Sequence, residues 1–291
     1  MLLQGLDPSK ASGPDQIPCR LLKELSKEIA PVFTCFFRQS VSTGTLPQIW
    51  KAAWITPVFK KGSRNLPENY KPVSLTCVSC KLLEHIICTH IHTHLDAHGI
   101  LTPFNHGFRS KHSCESQLTI TTHDLLRRLD RHEQIDLAIL DFSKAFDTVP
   151  HRRLLSKLSH CGIEGPLHQW ISSFLRGRRQ SVMVDGVRSR EDDVISGVPQ
   201  GTVLGPLLFL IYISDLPSVL DPSTAVRLFA DDCVVYRSIK SRDDQIRLQR
   251  DLDALHTWGR CWGMKFNTKK CNIMHMGKTT HSYFYSLGVM S

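Results

Sequence analysis

AVRLFADDCVVYRSIK, residues 225–240, places two adjacent aspartates between two apolar segments. In the first segment Val226, Leu228 and Ala230 recur at every second position, and the second segment is rich in β-branched and aromatic residues. Both patterns predict β-strands. Asp231 and Asp232 then lie at the tip of a hairpin, where the two strands hold them rigidly in one small volume. The stretch therefore predicts a hairpin that presents two carboxylates together.

Two carboxylates this close repel each other unless a cation lies between them, which makes the hairpin tip a candidate site for a hard divalent metal. The alternative is an ordinary solvated turn, because the chain has two further pairs of adjacent aspartates, at 192–193 and 243–244. Those pairs fit a polar loop and the first turn of a helix. Asp231-Asp232 differs from both because it lies between apolar strands.

The composition indicates a folded, basic protein. Of the 291 residues, 41% are hydrophobic and 22% are charged, so the chain can bury a core in one large lobe or two smaller ones. There are 36 Lys and Arg against 27 Asp and Glu, which gives a net charge of +9 and a pI near 9.1. This balance suits an anionic partner, with nucleic acid the first expectation and an anionic membrane surface the second.

The sequence favours an intracellular protein that is not embedded in a membrane. Residues 1–18 lack the basic start and the long apolar stretch of a secretory signal. The longest strongly apolar run, residues 207–213, is too short to span a bilayer. Ten cysteines without a signal favour reduced thiols over a disulfide framework. We therefore expect a location in the nucleus or the cytoplasm.

One cluster between residues 77 and 98 contains the residue types that bind zinc. Its members are Cys77, Cys80, His85, Cys88, His90, His92, His94 and His98. The segment from Ser79 to Ala97 also carries apolar residues at helical period, with the histidines mostly on other faces. A structural zinc site takes its ligands from a knuckle, which a continuous helix presents poorly. A solvated or interfacial histidine face is therefore favoured over a zinc site.

A third candidate carboxylate follows the segment QIDLAILDF, residues 134–142. The run is too apolar for an exposed edge, so it predicts a central strand with Asp141 at its end. A tight connection follows, and functional carboxylates are often found at such strand ends. Capping the next element is the more common use of such an aspartate.

The elements predicted after residue 134 are a strand, helices, two strands, a helix and short strands. The last helix covers Arg242 to Trp262, and short strands are predicted at 264–267 and 271–276. This order corresponds to the split βαβ or ferredoxin-like pattern, interrupted by helical and loop insertions. The ends of the central strands lie side by side in that topology, so Asp141 is expected beside the Asp231-Asp232 pair. The predicted fold class is α+β.

Three carboxylates on adjacent strand ends, in a basic protein, form a ligand set for two Mg²⁺ ions. Such a site activates a 3′-hydroxyl, stabilises a pentavalent phosphorus and neutralises a leaving pyrophosphate. The residues thus predict nucleotidyl transfer.

Three segments resemble, in order and spacing, the central palm motifs of reverse transcriptases from non-LTR (LINE-type) retrotransposons. They are LDFSKAFDTVPH (140–151), SGVPQGTVLGPLLFLIYISDLP (196–217) and LFADDCVVY (228–236). The similarity continues through KASGPDQIP, FKKG, NYKPVSL, KLLEHII, GFRSKHSCESQL, GMKFNTKKCNIM and YSLGV, and it covers almost the whole chain. The resemblance implies a right-hand polymerase with fingers and a palm, the palm built on the split βαβ core, and with the thumb largely absent.

The resemblance implies a catalytic role for four residues. Asp141 and Asp231 would bind both metal ions, Mg²⁺ or alternatively Mn²⁺, and Asp232 would be the third carboxylate. Lys270 would lie near the pyrophosphate leaving group and act as its general acid.

Five further residues match nucleotide-binding positions of the family. Phe146 would lie under the incoming sugar and reject a 2′-hydroxyl. Gln200 and Gly201 match the loop beside template and nucleotide, and Lys61 and Lys71 would lie over the triphosphate.

The chain departs from the family pattern at three positions. Lys71 stands where arginine is usual and keeps the charge without the bidentate fork. Asn105 replaces a common glutamine, and Cys271 replaces a frequent threonine. Because none of these changes removes a metal ligand, they bear on turnover rate more than on reaction type.

The predicted division assigns residues 1–133 to an N-terminal extension and the fingers, and residues 134–291 to the palm, with part of the fingers inserted at about 151–195. The family's larger polyproteins carry an endonuclease before the polymerase and a thumb after it, so a truncated copy is expected. Three functions follow as alternatives. The first is an RNA-directed DNA polymerase using an RNA template, a DNA primer and dNTPs, and the second is a catalytically silent remnant that binds nucleic acid. The third is a zinc-binding interaction module built on Cys77 to His98.

Overall fold

The computed structural model describes residues 2–278 and 283–288. The α-helices are α1 (Cys19–Glu24), α2 (Ser26–Thr43), α3 (Val78–Ala97), α4 (Cys114–Asp130), α5 (Ala145–Thr148), α6 (His151–His160), α7 (Gly165–Leu175), α8 (Leu204–Ile213) and α9 (Arg242–Trp262). The strands are β1 (Ala52–Phe59), β2 (Tyr70–Leu75), β3 (Gln134–Leu140), β4 (Arg178–Val184), β5 (Val187–Arg188), β6 (Asp192–Val194), β7 (Ala225–Phe229), β8 (Asp232–Ile239) and β9 (Asn272–Met276).

The chain forms a mixed α+β structure with two compact units, each of which contains one sheet. The first unit comprises Met1–His98 and His151–Leu208, and the second comprises Gly99–Pro150 and Phe209–Ser291. The boundary predicted between residues 133 and 134 falls inside the second unit.

The sheet of the first unit has the strand order β2-β1-β4-β5, and β6 also pairs with β4. Strands β1 and β2 are antiparallel, whereas β1 and β4 are parallel. Helices α2 and α7 pack together in this unit, and the fully buried Trp170 donates its indole N–H to Ser40 Oγ at 3.0 Å. That bond satisfies the one polar atom of a large aromatic side chain in the core.

The sheet of the second unit has the strand order β7-β8-β3-β9, and all its neighbours are antiparallel. Strand β3 lies between β8 and β9, as its apolar sequence predicts. Ile135, Leu137 and Ala138 are buried, so side chains from both faces of this strand are shielded from water. The residue that follows β3 is therefore held at the end of a central strand.

Helix α9 has the bounds predicted from its sequence. Ser241 forms a capping box with Asp244 at its N-terminus, and Gly263 takes the left-handed conformation (φ 73°) just past its C-terminus. Leu248, Leu252 and further residues at helical spacing are buried against the unit's core.

The strand predicted at 264–267 is wrong, whereas the one predicted at 271–276 is confirmed as β9. Residues 264–267 form only one isolated bridge, between Phe266 and Phe142. The backbone N–H of Met264 is used by the end of α9, where it bonds to the carbonyl of Gly259 at 2.7 Å. The alternating pattern of this segment therefore lacks a partner strand long enough to form a ladder.

Two negative findings concern the whole described structure. Within residues 2–278 and 283–288, no helix combines the length and the apolar character needed to cross a membrane. All ten cysteines fall within these residues, and each is unpaired.

Candidate active site

The hairpin between β7 and β8 carries the aspartate pair, but its two connecting residues are Ala230 and Asp231. Asp232 is the first residue of β8 and pairs with Phe229, the last residue of β7. The prediction that both aspartates form the tip is therefore right for Asp231 and wrong for Asp232, which belongs to the strand. Because successive side chains of a strand point to opposite faces, the register of Asp232 fixes which way its carboxylate points.

Asp141 lies next to this pair because β3 and β8 are neighbours. Leu140, the last residue of β3, pairs with Cys233, so Asp141 follows directly at the end of the sheet where β8 begins. Its backbone carbonyl accepts a hydrogen bond from the N–H of Asn267 at 2.7 Å. The three predicted carboxylates thus come from adjacent ends of two paired strands.

The three carboxylates interact electrostatically. Burial raises the pKa of Asp231, and the charges of Asp232 and Asp141 raise it further. Partial loss of solvent likewise raises the pKa of Asp232, with the charge of Asp141 as the next cause, while Lys270 lowers it. Removing charge from one member, or adding a cation, therefore relieves repulsion in the cluster.

Lys270 provides the cation nearest to Asp141. Its Nζ lies 3.0 Å from Oδ2 of Asp141, and the lysine side chain is 67% exposed whereas the aspartate side chain is 22% exposed. Oδ2 itself is buried and accepts no hydrogen bond from the described residues. The structure thus pairs the exposed ammonium group of Lys270 with a carboxylate oxygen that has no other polar partner among the described residues.

The residues present fit a divalent ion only in part. Within residues 2–278 and 283–288, no three His, Cys, Asp or Glu side chains are arranged to hold a metal by themselves. Mg²⁺ is usually bound by one or two carboxylates together with substrate phosphates, so it does not need a complete cage of protein ligands. The buried Oδ2 of Asp141 and the partly buried carboxylate of Asp231 offer oxygen atoms of the kind that such an ion could bind.

Phe146 lies on the short helix α5, five residues after Asp141, and is half-buried. Its ring stacks on that of the fully buried Phe209, with 4.3 Å between centroids and 20° between planes. The ring of Phe108 contacts it edge-on at 6.0 Å. These two contacts fix the orientation of the Phe146 ring.

Lys61 and Lys71 belong to the first unit and carry exposed side chains. Lys71 lies on β2 opposite Val58, and Lys61 lies in the connection between β1 and β2. That connection is closed by a bond from the N–H of Lys60 to the carbonyl of Asn69 at 2.8 Å. Strands β1 and β2 therefore form a hairpin that carries both lysines.

Gln200 and Gly201 lie beside the same strand. The carbonyl of Gln200 accepts a bond from the N–H of Ser74 at 3.1 Å. Gly201 has φ +92°, and a Cβ there would lie 2.6 Å from the carbonyl oxygen of Ser74. Only glycine allows this close approach, so the structure brings Gln200 and Gly201 against the strand that carries Lys71.

Glu84 is a buried carboxylate that the sequence argument missed. Its Oε2 accepts bonds from the N–H groups of Val203 (2.8 Å) and Leu204 (2.9 Å), where helix α8 begins, three residues after Gln200. Burial raises its pKa, while these two bonds and the charge of Arg178 oppose that shift. The sequence does contain an indication of this buried carboxylate, because Glu84 interrupts the apolar residues of KLLEHII.

The residues of the possible zinc cluster have other partners. Cys77 donates to the carbonyl of Ile49, and Cys88 donates to that of Val203. The ring of His94 bonds to the carbonyl of Cys161 at 2.7 Å. These contacts place the cluster's side chains against several different backbone segments of the first unit.

Most of the chain matches one known family. Residues 58–290 match the family model described as "Reverse transcriptase (RNA-dependent DNA polymerase)". The chain belongs to the reverse transcriptase family. The resemblance to non-LTR retrotransposon enzymes stated from the sequence is confirmed.

Several relatives of this reverse transcriptase chain come from insect mobile elements. It is 33% identical over 269 residues to a protein named "Probable RNA-directed DNA polymerase from transposon X-element" of Drosophila melanogaster, which covers 91% of the chain and 30% of that protein. It is 31% identical over 287 residues to the jockey "RNA-directed DNA polymerase" of the same species, with coverages of 96% and 31%. A "Retrovirus-related Pol polyprotein" from the R2 element of Popillia japonica is 25% identical over 248 residues, covering 81% and 34%. The chain thus spans about a third of the length of these relatives.

Proposed function

We propose that this reverse transcriptase chain copies RNA into DNA by adding dNTPs to the 3′ end of a primer. The observation that carries the proposal is the position of Asp141 beside the Asp231-Asp232 pair, at the adjacent ends of strands β3 and β8. The printed names of the X-element and jockey relatives support the same reaction.

The second unit's sheet is proposed as the palm, and the first unit's sheet as part of the fingers. In chain order the palm strands are β3, β7, β8 and β9, and their spatial order is β9-β3-β8-β7. That arrangement supports the split βαβ core expected from the sequence. All four strands fall within the predicted palm, residues 134–291.

The proposed reaction moves one nucleotide at a time. The 3′-oxygen of the primer forms a bond to the α-phosphorus of the dNTP, and the bond from that phosphorus to the β-phosphate bridging oxygen breaks. The hydroxyl proton passes to solvent and pyrophosphate leaves with the electron pair of the broken bond. Lys270 would give a proton to that leaving group, since its exposed ammonium group lies at the carboxylate cluster, 3.0 Å from Oδ2 of Asp141.

Asp141, Asp231 and Asp232 are the residues that would hold divalent metal, as two Mg²⁺ ions or Mn²⁺ in their place. When bound, such ions neutralise phosphate charge and lower the pKa of the attacking hydroxyl. The raised pKa of Asp231 supports this assignment, since a carboxylate cluster that repels itself gains most from a bound cation.

The remaining predicted residues are proposed to bind the nucleotide. The ring of Phe146, fixed by its stack on Phe209, would exclude a 2′-hydroxyl. Lys61 and Lys71 would neutralise the triphosphate, and Gln200 and Gly201 would line the template and base pair. The basic net charge of +9 supports binding of an RNA template and a DNA primer.

A primer-extension assay tests the proposal directly. Purified chain is incubated with poly(rA), oligo(dT), dTTP and Mg²⁺, in parallel with its Asp231→Asn variant. We expect extension by the wild type, none by the variant, and equal binding of primed RNA by both. Wild-type protein that binds the primed RNA without adding nucleotide would contradict the polymerase and favour the silent nucleic-acid-binding alternative.

A further inference from the structure

A buried amide contacts the residue that precedes the aspartate pair. Asn105 is 2% exposed, and its Oδ1 accepts hydrogen bonds from the N–H groups of Ala230 at 3.1 Å and Gly107 at 2.9 Å. Its Nδ2 lies 3.5 Å from the carbonyl oxygen of Ala230. One side chain therefore pairs with both backbone polar groups of Ala230.

Ala230 needs such support because its backbone is strained. It has φ +55°, in the left-handed region that residues with a Cβ rarely adopt. A residue stays in that conformation only where its surroundings enforce it. Ala230 is buried and immediately precedes Asp231, so its backbone angles set the direction in which the carboxylate of Asp231 leaves the turn.

The loop that carries Asn105 is anchored on both sides. The N–H of Leu228 bonds to the carbonyl of Phe104 at 2.9 Å, and the N–H of His106 bonds to the carbonyl of Leu228 at 3.1 Å, so the loop adds to the edge of β7. On the other side, Gln117 of α4 donates to the carbonyl of Phe104 at 3.2 Å. The amide of Asn105 is thus held at a fixed place relative to the sheet.

Gly107 lets the loop that carries Asn105 approach the backbone of Ala230 closely. A Cβ at this position would lie 2.9 Å from the Cα of Ala230 and would collide with its backbone nitrogen. Any larger residue would move the loop, and Asn105 with it, away from the turn.

We infer that Asn105 is a positioning residue for the metal-binding carboxylate of Asp231. It acts through Ala230 and touches none of the three carboxylates in the described contacts. This assignment rests on the proposed function, because the orientation of Asp231 matters for catalysis only if its carboxylate binds metal. Its physical basis is that removing a group that orients a metal ligand typically lowers metal affinity by roughly 10- to 100-fold.

The test compares the wild-type chain with Asn105→Ala by metal binding and by backbone protection. Binding of Mn²⁺ to the protein alone is followed by electron paramagnetic resonance, and hydrogen exchange is measured for a peptide that covers residues 228–233. We expect Mn²⁺ affinity to fall roughly tenfold and exchange of that peptide to rise. Primer extension should fall most at low Mg²⁺ and recover in part as Mg²⁺ is raised, with KM for dTTP little changed.

Two further variants separate positioning from general damage. Gly107→Ala keeps the Asn105 amide but displaces the loop, so it should weaken Mn²⁺ binding in the same way and serves if Asn105→Ala does not fold. Gln117→Ala is the matched control. It removes a bond to the same loop without freeing Ala230, so Mn²⁺ affinity should stay within about twofold of wild type, well short of the effect of a lost orienting group.

The outcomes distinguish the inference from the function on which it rests. If Asn105→Ala and Gly107→Ala fold, bind Mn²⁺ as the wild type does and leave exchange at 228–233 unchanged, the positioning role is overturned, even where the wild type extends primers. If the wild type adds no nucleotide, the proposed function fails, and the exchange comparison still decides whether Asn105 holds the turn.

Discussion

Lys270 Nζ lies 3.0 Å from Oδ2 of Asp141, so the lysine two residues before β9 is paired with the carboxylate that directly follows β3. The pair is largely open to water on the lysine side, and exposed ion pairs contribute about 0–1 kcal/mol to stability. Lys270→Gln should therefore lower the melting temperature only slightly, because the ammonium group also offsets repulsion among the three carboxylates. The rate of nucleotide addition should fall by roughly 10²-fold or more if this lysine protonates pyrophosphate, as measured by single-turnover primer extension.

Lys269→Gln is the control for that experiment, because it removes the same charge one residue earlier from an equally exposed position. Equal loss of rate in both variants would assign the effect to general electrostatics and not to an acid at position 270.

Asp231→Asn should raise the thermal stability of the protein in the absence of metal at pH 8. Burial first, and then the charges of Asp232 and Asp141, hold the pKa of Asp231 above its ordinary value of 3.8. A raised pKa in the folded state means that ionisation of this group opposes folding. This loss of stability is absent below the pKa that Asp231 has in the unfolded state, and it becomes complete as pH rises through the higher pKa of the folded state. The gain measured by calorimetry should therefore shrink as pH is lowered toward 4.

Asp192→Asn provides the comparison, since Asp192 is exposed on β6 and lies outside the carboxylate cluster. A pH-dependent gain of the same size in this variant would contradict the explanation by repulsion at the active site.

Phe146→Ala should admit ribonucleotides into the product. The ring is fixed by Phe209 and Phe108, so truncating it removes a rigid wall without touching a carboxylate. Discrimination between dTTP and UTP should drop by about tenfold or more, the range for a steric change in a binding pocket. The measurement is kcat/KM for each nucleotide in primer extension. Unchanged selection by a variant that still polymerises would assign the sugar gate to another residue.

Glu84→Ala should destabilise the first unit and loosen the segment around Gln200. The substitution leaves the N–H groups of Val203 and Leu204 without their acceptor. It also removes a negative charge that favours the charged form of the buried Arg178. Breaking a buried charge interaction of this kind costs about 3–5 kcal/mol, which chemical denaturation can measure.

Glu28→Ala, at an exposed position in the first turn of α2, is the matched control and should stay close to wild-type stability. A loss no larger for Glu84→Ala than for Glu28→Ala would show that the start of α8 does not depend on the buried carboxylate.

The elements that hold the carboxylates were predictable because each depends on local pattern. Alternating apolar residues define β7, an apolar run interrupted by Asp136 defines β3, and Ser241 and Gly263 mark the ends of α9. The segment 264–267 shows the limit of that argument, since a strand pattern forms a strand only where a partner is available.

The support behind the site could not be predicted from the sequence. Nothing local indicates that Ala230 is left-handed, because that conformation is enforced by Asn105 from 125 residues away. The bonds of Glu84 to the start of α8 span 119 and 120 residues and likewise exist only once the unit has packed. Both are tertiary contacts, and periodicity carries no information about them.

The strand register around the site also determines how the chain tolerates changes in length. Leu140 pairs with Cys233 and Phe229 pairs with Asp232, and side chains alternate between the two faces of a sheet. A single-residue insertion or deletion at the start of β8 would turn the carboxylate of Asp232 to the opposite face of the sheet. The rest of β8 could still pair with β3 and β7. The exposed turn at Asp185, between β4 and β5, carries no such constraint. Insertions and deletions are therefore expected to be tolerated at the turn between β4 and β5 and to be excluded from the hairpin between β7 and β8.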